Sequence, residues 1–185
     1  MEPFIRKPDT FRLSNSSKFF NLLTTTMNAF STPELPAIGI LASLEDEDRK
    51  LLGNYGEFLP LQAEDTLINE GEPQDAIYFV ISGLLHVHTL EDGKRTLLGR
   101  VGAGETLGEV NIFDPEKASA NVTAKEFCQI WKARREDIEA FLKSYPSAAG
   151  KLLIGMMASV SKRIRKANAR LSATELKAAI EHMWR

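Results

Sequence analysis

Gly108 and Glu109 stand at the head of a short apolar run, Val110-Asn-Ile-Phe113, which stops at Asp114-Pro115. Gly102 and Gly104 interrupt the strand-like segment before it, and a new strand-like segment starts at Ser119. The pattern predicts strand, tight turn, one or two helical turns, loop and strand. A helix that short presents mainly its N-terminus, where unpaired N–H groups and the positive dipole end can hold an anion. Gly108 has no Cβ and lets the backbone come close to a ligand. Glu109 adds an acceptor for hydroxyl groups. A phosphate beside a sugar hydroxyl is the chemistry this pairing suits.

Other chemistries find less support. His86 and His88 lie two apart, on one side of a strand, with Glu91 following. H-x-H plus a glutamate can bind a metal, but the only other histidine is His182, far away in a helical stretch. A solvated strand face is the expectation, with no metal ligands. Cys128 shares its parity with Val122, Ala124 and Ile130, as a small buried hydrophobe would. No nucleophile–base pair and no paired carboxylates share a site, so the sequence predicts a protein that is not an enzyme.

The elements that must position Gly108 and Glu109 follow from periodicity. Residues 1–40 form an N-terminal extension, polar to Ser17. A helical stripe of Phe19, Phe20, Leu22, Leu23, Met27 and Phe30 follows, suited to packing on the domain or a second subunit. Leu41–Tyr55 reads as a helix capped by Ser43, with Glu45, Asp46 and Glu47 as a solvated, dipole-favoured first turn. From Glu57 the period becomes two. Short strands, Glu57–Leu61, Thr66–Asn69, Ala76–Ser82, Leu84–Leu90 and Arg95–Val101, are punctuated by Gly71, Gly83, Asp92-Gly93 and Gly102. Asp92-Gly93 is a hairpin signal, and Asn121–Trp131 reads as a returning strand. The rhythm predicts a mainly β domain with α, an antiparallel β-roll or jelly roll (a double-stranded β-helix) over residues 41–145. A helical stretch starts near Arg134 and ends at Tyr145-Pro146.

Residues 146–185 form the C-terminal helices. Leu153, Met157, Val160, Ile164, Ala167 and Leu171 make a heptad seam along about 27 Å of helix. The plain alternative is a stripe packing on its own roll. Lys151, Lys162, Arg163, Arg165, Lys166 and Arg170 lie on the same helix, with no acidic residue between Glu139 and Glu175. Ser172-Ala-Thr-Glu175 reads as a capping box that opens a last short helix.

Leu107-Gly108-Glu109 through Val122 resembles the phosphate-binding cassette of cyclic nucleotide-binding domains. Gly71, Gly83 and Gly104-Glu105 fit the same family, and the resemblance spans residues 41–171. It implies a sensor fold and a site built from Gly108, Glu109, Val110, Lys117, Ala118 and Ser119. The family places an arginine for the cyclic phosphate where this sequence has Ala118, between Lys117 and Ser119. Lysine cannot copy the paired donors of arginine. The family's bacterial sensors cover the ligand with the long helix and pair such helices in a homodimer. Counting from the cassette without a gap, the covering region falls at Arg163, Ser159 and Ser161. Arg163 or Lys117 is therefore expected to supply the missing charge.

Bulk properties narrow the rest. A net charge of −2 gives no general attraction to nucleic acid. No run approaches the roughly 18 apolar residues of a membrane span, and no signal core opens the chain. One cysteine permits no internal disulfide, which fits a cytoplasmic protein. Residues 172–185 are too few for a winged helix-turn-helix, so no direct DNA reading is expected. The leading expectation is a stand-alone regulatory sensor for a cyclic nucleotide (cAMP or cGMP) or a related small anion, dimeric through its C-terminal helix, signalling to an unidentified protein partner. The alternatives are a degenerate, non-binding dimerisation or scaffold module, and a metal-dependent enzyme of the cupin type. The cupin pattern differs in having a longer spacing to its glutamate and a further histidine downstream.

Overall fold

Alternation within two strands decides the architecture. In Ala76–Ser82 (β3), Ala76, Tyr78 and Val80 face one core while Ile77 and Phe79 face another. In Cys128–Arg134 (β8), Cys128 and Ile130 face the first core, and Trp131 and Ala133 the second. Strands apolar on both faces must sit between two layers. The computed structural model describes residues 34–91 and 93–183, and places β3 and β8 side by side at the centre of a four-stranded sheet. The sheet runs Glu57–Leu61 (β1), β8, β3 and Thr106–Leu107 (β6). A second sheet runs Thr66–Ile68 (β2), Asn121–Ala124 (β7), Leu84–Glu91 (β4) and Lys94–Gly102 (β5). All pairings are antiparallel, and the two sheets close over one core as a jelly roll.

Helices cover the outer face of the first sheet. They are Asp46–Gly53 (α1), Glu109–Phe113 (α2), Arg135–Ser144 (α3) and Pro146–Met183 (α4). Their apolar faces join Phe79 and Trp131 in the second core, through Leu52, Ile112, Ile138, Phe141, Leu152 and Met156. Tyr55 and Tyr145 each meet Phe141 at ring-centroid separations of 5.4 Å, within the range of favourable aromatic pairs.

Several expectations are corrected. The first helix starts at Asp46, not Leu41, and its N-cap is Glu45 rather than Ser43. Leu41 and Leu44, three apart, are both buried through a 3-10 turn at Gly39–Leu41, and Arg49 of α1 donates to the carbonyls of Leu35 and Leu44. The acidic first turn is not merely solvated, because Lys151 meets Glu45 at 3.2 Å and Asp48 at 3.8 Å. The returning strand is two strands, since the chain turns at residues 125–127 to pass between sheets. Ser172 opens no new helix: α4 runs unbroken through it. His88 is buried rather than solvated, its Nδ1 3.2 Å from Arg95. The stripe at Phe19–Phe30 and Asp92 of the hairpin lie outside the described residues, as do the side chains beyond Ala173.

Helix α4 positions the site. Ala148, Ala149, Leu152 and Met156 are buried against the roll. Gly155 sits so near the turn at Gly39–Leu41 that a Cβ there would lie 2.7 Å from the Ile40 carbonyl oxygen. The heptad stripe is offset from this buried face, and Met157, Ile164 and Leu171 are exposed.

Candidate anion site between β5 and α4

Gly108 takes a left-handed φ of 75° as the N-cap of α2. A Cβ there would stand 2.2 Å from the carbonyl oxygen of Ala76. The missing Cβ is therefore used by the chain itself, to let the cassette pack on β3. This revises the expectation that Gly108 clears space for a ligand.

Glu109 follows Gly108 and points inward, where it is 3% exposed. A buried carboxylate needs a partner. Arg163 of α4 supplies one, its Nη1 2.7 Å from Glu109 Oε1. The other nitrogen of the same guanidinium donates to the Thr106 carbonyl and, at 3.3 Å, to the Thr106 hydroxyl. Thr106 and Glu109 flank Leu107-Gly108, so one planar fork ties the long helix to both ends of this turn. Glu109 Oε2 is buried with no hydrogen-bond partner among the described residues. A buried acceptor of that kind fits a donating ligand hydroxyl.

Beside this pair lies a cavity of about 310 Å³ between β5 and α4. Its floor includes Val87, Val101 and Leu107, and its walls carry Arg100, Lys162, Arg163, Lys166 and Arg170, with Glu105 the one carboxylate among the described residues that line it. Strand β5 reaches the helix through a bulge. Val87 pairs with Gly99 and His88 with Leu97, so Leu98 is the extra residue. Its carbonyl accepts a hydrogen bond from Arg170 at 3.3 Å. His86 pairs with Arg100 across the ladder. Partial burial, helped by Arg100, Lys125 and Arg95, holds its imidazole below the ordinary value of 6.5.

The cassette residues divide among three places. Arg163 lines the cation-walled cavity, while its partner Glu109 faces a second, apolar hollow on the other side of the ion pair. Val110 lines that same hollow of about 390 Å³, with Phe113, Met157 and Val160. Lys117 is exposed and bridges to Pro73. Ala118 is half-buried against the inter-sheet core, its N–H donating to the Glu72 carbonyl and its own carbonyl accepting from Gly71, both at 2.8 Å. Ser119 is exposed. None of Lys117, Ala118 or Ser119 lines the cation-walled cavity. Ser159 lines it; Ser161 does not. Sequence reasoning missed Arg100 and Thr106, and named Glu105 only as part of the family pattern, not as a site residue. The spacing of Lys162, Lys166 and Arg170 at i, i+4 and i+8 was the available signal for the helical wall. Among the described residues no group of three or more His, Cys, Asp or Glu could hold a metal.

A family model described as the cyclic nucleotide-binding domain matches residues 58–145. Residues 58–145 belong to the cyclic nucleotide-binding domain family. Over 105 residues this cyclic nucleotide-binding domain is 31% identical to the cAMP-activated global transcriptional regulator of Haemophilus influenzae, covering 56% of this chain and 45% of that protein. It is 29% identical over 140 residues to Glutaminase 1 of Bradyrhizobium diazoefficiens, covering 76% and 22%. The chain thus spans less than half the length of these curated relatives. A cyclic nucleotide-binding domain from Methylobacillus flagellatus shares its fold, with a TM-score of 0.66, 21% identity and coverage of 86% and 85%. The N-terminal domain of a transcriptional regulator from Streptomyces coelicolor superposes at 0.58, with 31% identity and coverage of 72% and 91%. The family match ends before α4, so Arg163 and its basic neighbours lie beyond it.

Proposed function

We propose that this cyclic nucleotide-binding domain is a sensor that holds a small anion in the cleft between β5 and α4. The observation that carries this reading is the convergence of five cationic side chains and one carboxylate on a single cavity. Helix α4 is the moving part. Its N-terminal turns are fixed in the core by Leu152 and Met156, while residues 164–173 are exposed. Ligand binding shifts the equilibrium between a helix latched to Glu109 and one reoriented by the anion. The exposed stripe of Met157, Ile164 and Leu171 carries the change to a second copy and to a protein partner. cAMP and cGMP are the first ligands to test, with Arg163 in place of the cassette arginine.

Calorimetric titration with each nucleotide tests the proposal. Micromolar binding is expected. Arg163→Ala should weaken it about ten-fold or more, as loss of a charge-assisted hydrogen bond does. Lys117→Ala, away from the cavity, should change it little. A competing reading, a non-binding dimerisation module, draws on one observation: Glu109 is already satisfied on one oxygen by Arg163. If neither those nucleotides nor any other small anion shifts the melting temperature, that reading prevails. Among the described residues no side-chain cluster supports the metal-dependent alternative, and His88 is engaged by Arg95.

A further inference from the structure

Resting on the anion-sensing reading, we infer that the β5–α4 cleft selects a nucleotide with two phosphoryl groups, linear or cyclic, over a cyclic mononucleotide with one. Lys162, Lys166 and Arg170 follow one another along a single face of α4 and all line the cavity. Their span is about 12 Å of helix axis. Arg100 faces them from β5. Among the described residues, neither Arg100, Lys162 nor Lys166 forms an ion pair with a carboxylate.

The cavity's carboxylate, Glu105, is turned to its own backbone, accepting from the Gly102 N–H at 2.8 Å. The fifth cation, Arg163, is neutralised by Glu109. Arg100, Lys162 and Lys166 outweigh Glu105 by two positive charges, more than one phosphodiester can balance. Like charges at i and i+4 repel. A ligand with two phosphoryl groups can meet the charge of both lysines and of Arg100 opposite them, whereas a single charge meets only part of it. The cassette offers no arginine to compete, because its position is taken by Ala118, half-buried against the inter-sheet core. The apolar floor of Val87, Val101 and Leu107 is suited to a nucleobase.

Calorimetry on the full chain with ADP, cyclic di-GMP, cAMP and inorganic pyrophosphate tests this, at about 50 and about 200 mM NaCl. ADP or cyclic di-GMP should bind at least about ten-fold tighter than cAMP, a difference of one further charge-assisted contact. The tighter of the two identifies a linear or a cyclic source. Its affinity should fall more steeply with salt than that of cAMP. Lys162→Ala and Lys166→Ala, both exposed and so not expected to disturb folding, should each weaken it several-fold. Pyrophosphate should compete with it. If cAMP binds as tightly as either, with both lysine variants silent, the two-phosphoryl inference falls and the anion sensor stands. If no probe binds, both fall.

Discussion

Gly108 is the residue on which the cassette's geometry turns. Its positive φ and its contact with the Ala76 carbonyl act together, so Gly108→Ala combines a left-handed backbone penalty with a backbone clash. We expect a loss of at least roughly 2 kcal/mol in chemical denaturation; a loss within about 0.5 kcal/mol, typical of an unconstrained surface site, would refute the packing role. His86 supplies a pH dependence. Its folded pKa is lowered, chiefly by burial and then by Arg100, so the unfolded chain binds the proton more readily. The contribution to stability is whole above the ordinary value of 6.5 and is lost as pH falls through that value towards the folded one. An NMR titration should place His86 below 6.5, and Arg100→Gln should raise it. An unmoved titration would show that Arg100 does not act on it. The type and spacing of Gly108 and Glu109 made the cassette legible in the sequence. The partner of Glu109 was not, because Arg163 lies 54 positions away and only the packing of α4 brings it to 2.7 Å.

Helix α4 does two jobs with two faces. Ala148, Leu152 and Met156 bind it to the roll, and Met157, Ile164 and Leu171 remain exposed one residue or more around the helix. If the proposed dimer pairs through this exposed stripe, Ile164→Glu should convert it to a folded monomer. Light scattering reads the outcome, and a variant that stays dimeric would place the interface elsewhere. Gly155 tests the other face. A Cβ there would press on the Ile40 carbonyl, so Gly155→Val should loosen the helix from the turn at Gly39–Leu41 and lower the melting temperature. The strands were legible as elements because period-two alternation and turn residues mark them locally. The helix starts and stops were less so. Ser43 and Ser172 carry capping chemistry, but Leu44 must be buried ahead of the first helix, and α4 continues through Ser172.

For the molecule as a whole, stability should be graded along α4. Hydrogen exchange should be slow through residues 148–156, which are packed in the core, and faster beyond residue 164, where the side chains described are exposed. An anion in the cleft should slow exchange around residues 159–170 and at β5, while leaving α1 and α3 unchanged. Protection spread evenly over the fold would point to general stabilisation rather than to a helix held by its ligand. The sequence by itself determined the jelly roll, the cassette and the basic, heptad-patterned helix, since each is written in neighbouring residues as period, turn chemistry or charge. Only the tertiary structure decided where the positive charge gathers: not at Lys117 beside Ala118, but along β5 and α4, with Arg163 closing on Glu109. Which side chains share a cavity depends on how the two sheets and the helix pack, and no local pattern encodes a contact between residues so far apart in the chain.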